Sequence, residues 1–128
     1  MMRESWLPAA PRSAALARSL VREAAAKRGL GPPEVWDLML ATTEAVANVV
    51  KHGAPCGERG FRLRIGATSD RLQVEVCDCG LFADELDDAG PDETHGRGIP
   101  LIAAVSDEFE LRPRGPFTRV RFAKRLAA

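Results

Sequence analysis

The chain has 128 residues, 45% of them hydrophobic, which is one domain's worth of sequence with apolar material for a single core. Its eighteen basic and eighteen acidic residues cancel, so no global field recruits nucleic acid or an anionic membrane. No apolar run approaches the roughly 20 residues of a membrane span, and the N-terminal stretch with Glu4 and Pro8 lacks a signal-peptide core, so a soluble cytoplasmic protein without membrane contact is expected.

Trp6 and Leu7, between Ser5 and Pro8, suit an edge strand or an interface arm rather than a central strand. From about Ser13 to Arg28, Leu16, Ala17, Leu20, Val21 and Ala24 recur at helical spacing, and Gly29 stops the helix. Gly31-Pro32-Pro33 breaks the chain and opens a second helix from about Glu34 to His52, closed by Gly53. Val35, Leu38, Thr42, Ala45 and Val49 mark its apolar stripe, which Trp36, Leu40, Ala47 and Val50 widen. Asp37, Glu44, Asn48 and Lys51 are left as a narrow polar seam. Glu44 and Asn48, four residues apart, stack on one face, and such a pair can hold a cation and orient a nucleophile.

The period then changes to two. Phe61, Leu63 and Ile65 alternate with Arg62 and Arg64, and Leu72, Val74 and Val76 alternate with Gln73 and Glu75. Thr68-Ser69-Asp70-Arg71 joins these two antiparallel strands as a turn. The second strand runs into Cys77-Asp78-Cys79-Gly80, and the acidic stretch from Leu81 to His95 reads as a loop or short helix. Gly96-Arg97-Gly98 leads into a short apolar helix, Ile99 to Val105, with Pro100 in its first turn. Phe109 to Arg112 and Thr118 to Phe122 alternate again around Pro113-Arg114-Gly115-Pro116, and a hairpin is expected. The order helix, helix, strand, strand, loop, helix, strand, strand predicts an α+β two-layer sandwich. Its helices lie on one face of a mainly antiparallel, mixed sheet. A glycine pair at a helix start offers N–H groups and a positive dipole end to phosphate, and a nearby Asn and carboxylate complete a magnesium and phosphate site.

These residues carry a resemblance. Glu44-Ala45-Val46-Ala47-Asn48, ending in His52-Gly53, resembles the N box of the GHKL ATPase superfamily. Asp78-Cys79-Gly80 resembles its first glycine box, and Gly96-Arg97-Gly98-Ile99-Pro100-Leu101-Ile102 its second. Within that superfamily the chain is most similar to the anti-sigma-factor serine kinases of bacterial partner-switching systems. The resemblance implies the Bergerat ATP-binding fold over a single domain, residues 1–128, with ATP and Mg²⁺ as ligands. It assigns Glu44 the general-base or hydroxyl-orienting role and gives Mg²⁺ to Asn48. Asp78 would accept a hydrogen bond from the adenine amino group, and Gly80 would pass beneath the base. Gly96, Arg97 and Gly98 would meet the phosphates, Thr118 would lie near the adenine, and Leu81 to His95 would be the lid. The implied partners are a sigma factor and a STAS-type anti-anti-sigma protein, and a homodimer stays open. Leu81 and Phe82 depart from the usual Asp-x-Gly-x-Gly pattern, and the lid holds six carboxylates without a Lys or Arg. A non-catalytic nucleotide-binding or protein-interaction module is therefore the alternative to the kinase. A detached histidine-kinase ATPase domain is disfavoured, since no helical phosphoacceptor-His segment precedes the motifs.

Other chemistry is weaker. Cys56, Cys77 and Cys79 are an odd count, and Cys77-x-Cys79 has no second Cys or His pair at metal-ligand spacing, so reduced thiols and no metal cluster are expected. His52 suits a cap on helix carbonyls, and His95 either touches phosphate or merely precedes the glycines. The alternating arginines of the last strands read as a solvated face of an edge hairpin, not a nucleic-acid site.

Overall fold

The computed structural model describes residues 2–52, 55–79, 98–114 and 117–126. The elements are β1 (Met2–Leu7), α1 (Ser13–Lys27), α2 (Pro32–His52), a 3-10 turn (Gly57–Arg59), β2 (Phe61–Ala67), β3 (Arg71–Asp78), α3 (Gly98–Val105), β4 (Glu108–Arg114) and β5 (Phe117–Arg125). The strands form one sheet in the order β1-β2-β3-β5-β4. All four described pairings are antiparallel, so the expected mixed component is absent among the described strands.

Period-two alternation sorts the sheet into two faces. On one, Phe61, Leu63, Ile65, Leu72, Val74, Val76, Val120 and Phe122 are buried and meet Leu38, Ala41, Ala45, Val46 and Val49 of α2, Ala17, Val21 and Ala25 of α1, and Ile102 of α3. Small residues along α2 let the helix settle close to the sheet. Its buried hydroxyl is satisfied within the helix: Thr42 Oγ1 donates to the Leu38 carbonyl at 2.7 Å. α1 ends where the sequence says it should. Gly29, at φ 76°, donates to Ala26, and Leu30 donates to Ala25, the paired bonds of a Schellman cap.

The other face is a lattice of charge. Arg62, Arg64 and Arg119 surround the buried Glu75 at 3.4 to 3.9 Å, while Arg112, Arg119 and Arg121 lie 3.0 to 3.4 Å from Glu110. The sequence places the arginines of the last two strands on an edge hairpin; of those two strands only β4 is an edge, and β5 runs between β3 and β4. The arginines are solvated in part and ion-paired in part. Trp36 also departs from expectation, being 68% exposed rather than part of the core. It lines a groove of about 330 Å³ with Arg18, Met39, Leu40 and Thr43, where Arg18 donates to Thr43 Oγ1 at 3.1 Å.

Candidate functional site

Three elements bring the predicted polar residues to one end of the sandwich. Lys124 of β5 contacts Asp37 of α2 at 2.9 Å, which fixes how helix and strand lie against each other. From Lys124 back to Thr118 the strand covers about 20 Å. From Asp37 on to Asn48 the helix covers about 16 Å. The helix runs toward the same end as that stretch of strand, because only residues 53–60 separate His52 from Phe61, the first residue of β2, whose place in the ladder is opposite Asp78. Thr118 and Asn48 therefore lie at the same end. Asp78 is there too, because it is the register partner of Thr118. Counting from Leu72 by twos also puts Asp78 on the helix-facing side, after Val74 and Val76.

Asn48, Asp78 and Thr118 are 7%, 2% and 1% exposed. Asn48 Nδ2 and Thr118 Oγ1 find no hydrogen-bond partner among the described residues. A buried polar atom without a partner costs about 1–3 kcal/mol, so two of them beside a carboxylate fit a polar ligand that supplies the missing bonds. Glu44, half-buried, stands one turn before Asn48 on α2 and makes no ion pair with a described residue. Gly98 opens α3, which packs along α2, and Pro100 sits in its first turn as expected. Gly80, Gly96, Arg97 and the segment from Leu81 to His95 lie outside the described residues, as do Gly53 and the side chain of His52. No described group of His, Cys, Asp and Glu forms a metal cluster. The donor set fits adenine and a phosphate-bound magnesium: an acid for the base, a hydroxyl beside it, and a carboxamide whose oxygen suits a hard cation.

The thiols correct the sequence reading. Cys56 and Cys79 form a disulfide, with Cα atoms 5.2 Å apart, and Cys77 alone is free and buried. Parity and spacing miss this pair, but hairpin register supplies the signal. Arg62 pairs with Cys77, so continuing the register puts Gly60 opposite Cys79. The tight turn folds Cys56 back onto Gly60, its N–H donating to the Gly60 carbonyl at 2.6 Å. Burial pushes the Cys77 thiol up from its ordinary value against the pull of Arg62.

A helix-backed antiparallel sheet that gathers an acid, a carboxamide and a hydroxyl at one end defines a nucleotide-binding α+β sandwich. The family described as histidine kinase-like ATPase domain matches residues 7–124, and the chain belongs to it. It is similar to the serine-protein kinase RsbW of Bacillus subtilis, 30% identical over 122 residues that cover 85% of this chain and 76% of the relative. The serine-protein kinase RsbW of Bacillus licheniformis is 32% identical over 118 residues, 82% of this chain and 74% of the relative. A solved structure of the RsbU and RsbW domains of Rv1364c from Mycobacterium tuberculosis superposes over all of this chain with a TM-score of 0.79 at 20% identity. This chain spans 33% of that one, and the likeness establishes the fold. Among the described residues no helix is long and apolar enough to cross a membrane.

Proposed function

We infer that this chain is a protein serine kinase of the anti-sigma-factor type. It takes the γ-phosphoryl group from Mg-ATP, passes it to a seryl hydroxyl of a small STAS-type anti-anti-sigma protein, and holds a sigma factor when that antagonist is absent. The observation that carries the reading is the pair of buried atoms without a hydrogen-bond partner among the described residues, Asn48 Nδ2 and Thr118 Oγ1, at the end of the sandwich where Asp78 closes β3. Relatives named serine-protein kinase support the reaction class.

Asp78 accepts from the adenine amino group, the Thr118 hydroxyl bonds the same base, and Gly80 passes beneath it. Asn48 would hold Mg²⁺, which when bound neutralises charge on the β- and γ-phosphates. Gly96, Arg97 and Gly98 present N–H groups and a cation to those phosphates at the start of α3. Glu44 orients the seryl hydroxyl and takes its proton as the new O–P bond forms and ADP departs. A non-catalytic module of the same fold is the second reading, favoured by Leu81 and Phe82 standing where the second glycine is usual.

Calorimetric titration of Mg-ATP and Mg-ADP into the wild type and Asp78→Asn tests the base contact. Losing a charge-assisted hydrogen bond worth about 1.5–3 kcal/mol weakens binding about 10- to 150-fold. Wild-type affinity in the micromolar range with that loss is the expected outcome. A folded wild type that binds neither nucleotide overturns the reading. With γ-labelled ATP, label on a partner serine marks the kinase, binding without transfer marks the module, and label on a histidine contradicts both.

A further inference from the structure

The disulfide lies at the site and nothing in the proposed chemistry uses it. Cys79 is the residue after Asp78, one position beyond the last ladder pair of β3 with β5. Cys56 belongs to a turn that is pinned to β1 independently of the disulfide. The Arg59 guanidinium lies 5.5 Å from the centre of the Trp6 ring, and Gly60 packs directly on the Leu7 carbonyl. One sulfur therefore sits on a fixed frame and the other at the open end of a strand. Making or breaking the bond acts on the Cys79 side, next to the residue assigned to the adenine.

We propose that Cys56 and Cys79 are a reversible thiol–disulfide modification site that couples nucleotide affinity to the thiol redox state, the disulfide form binding more tightly. The coupling rests on the nucleotide reading above; the disulfide and its placement do not. With the bond closed, the backbone from Asp78 to Cys79 is tied to the turn and the carboxylate is held in place before ligand arrives. With it open, binding must order that backbone, which lowers affinity. The oxidant is a low-molecular-weight disulfide. One thiolate of the pair attacks a sulfur of RSSR and expels RS⁻; the second thiolate then attacks the mixed disulfide and expels another RS⁻. Both leaving thiolates take up the protons lost by the cysteines, so two cysteine thiols are oxidised as one RSSR becomes two RSH. Both sulfurs are half-buried. Cys77, in contrast, is buried on the outer face between Arg62 and Arg119, and takes no part.

The test equilibrates the whole chain in buffers of oxidised and reduced glutathione, counts cysteines alkylated after acid quench and unfolding by mass spectrometry, and measures Mg-ATP affinity and backbone hydrogen exchange at each ratio. Expected are one alkylated cysteine at the oxidising end and three at the reducing end. Affinity falls about three- to tenfold on reduction, with faster exchange in peptides covering the end of β3. Cys56→Ser binds like the reduced wild type at every ratio, and Cys77→Ser keeps the redox response. A pair that stays reduced in excess oxidised glutathione overturns the proposal, as does affinity that is equal in both states or weaker in the oxidised one. Absence of Mg-ATP binding in both states rejects the nucleotide reading instead. The thiol pair is then judged on exchange alone, where equal rates at the end of β3 overturn it and unequal rates sustain it.

Discussion

Glu110 is crowded by arginines on the outer face of the sheet. Burial alone would raise its carboxyl, but Arg121, Arg112 and Arg119 outweigh it and hold the group below its ordinary value. The folded state thus binds this proton less readily than the unfolded chain does. Its contribution to stability is present above the ordinary carboxylate range and is lost as pH falls through the depressed folded value. Urea denaturation of the wild type and Glu110→Gln from about pH 7 down to pH 3 checks this. The gap between the two proteins should close toward the acid end, and a gap independent of pH would contradict the assignment. Glu75 is more deeply placed, 5% exposed among three guanidiniums, and the alternation of the strands announces both residues as outward-facing. Their partners are not announced, because Arg64 and Arg119 approach Glu75 from neighbouring strands whose order is a tertiary fact. The same holds for Asn48, Asp78 and Thr118. Each is legible as a polar residue on a buried period, while their shared end depends on how α2 lies across β5. Trp36 fails for the complementary reason: its spacing fits the apolar stripe, yet whether that side of α2 is covered is decided by where α1 crosses.

Two glycines separate conformational strain from lack of space. Gly29 caps α1 at φ 76° with nothing near the position of a Cβ, so Gly29→Ala carries only the left-handed strain, about 1 kcal/mol. Gly60, at φ 81°, has the Leu7 carbonyl oxygen where a Cβ would go, so Gly60→Ala adds a backbone clash and costs about 2–4 kcal/mol. Chemical denaturation should show both as lower midpoints with unchanged slope, the second much larger; equal losses would mean that the turn yields without resistance. Element positions were legible, with α1, α2 and α3 starting and ending within about two residues of expectation, because caps, prolines and glycines are local signals. The 3-10 turn at Gly57–Arg59 was not: its conformation is imposed by packing on β1, and it is what brings Cys56 to Cys79.

At the scale of the molecule, Phe122 is the largest test of the shared core. It is fully buried on β5, opposite Val74 and Phe109 in the ladders of its two neighbouring strands. Phe122→Ala should cost about 3–5 kcal/mol by thermal or urea unfolding, as transfer and cavity terms add. A cost under about 1 kcal/mol would mean that sheet and helices do not share one core. The two-layer class followed from periodicity alone, but strand order did not. Placing β5 beside β3 needs a crossover through α3 that no local pattern encodes.

That crossover has a temporal consequence. Thr118 comes 70 positions after Asn48 and 40 after Asp78, and it reaches them only once β5 has slotted between β3 and β4. A chain still emerging from the ribosome carries both earlier motifs without a pocket to show for them. If nucleotide occupies this site as proposed, its occupancy is a signal of completed assembly, and ligand at a hundred times its dissociation constant favours the finished chain by about 2.7 kcal/mol over any form in which the last strand has come away.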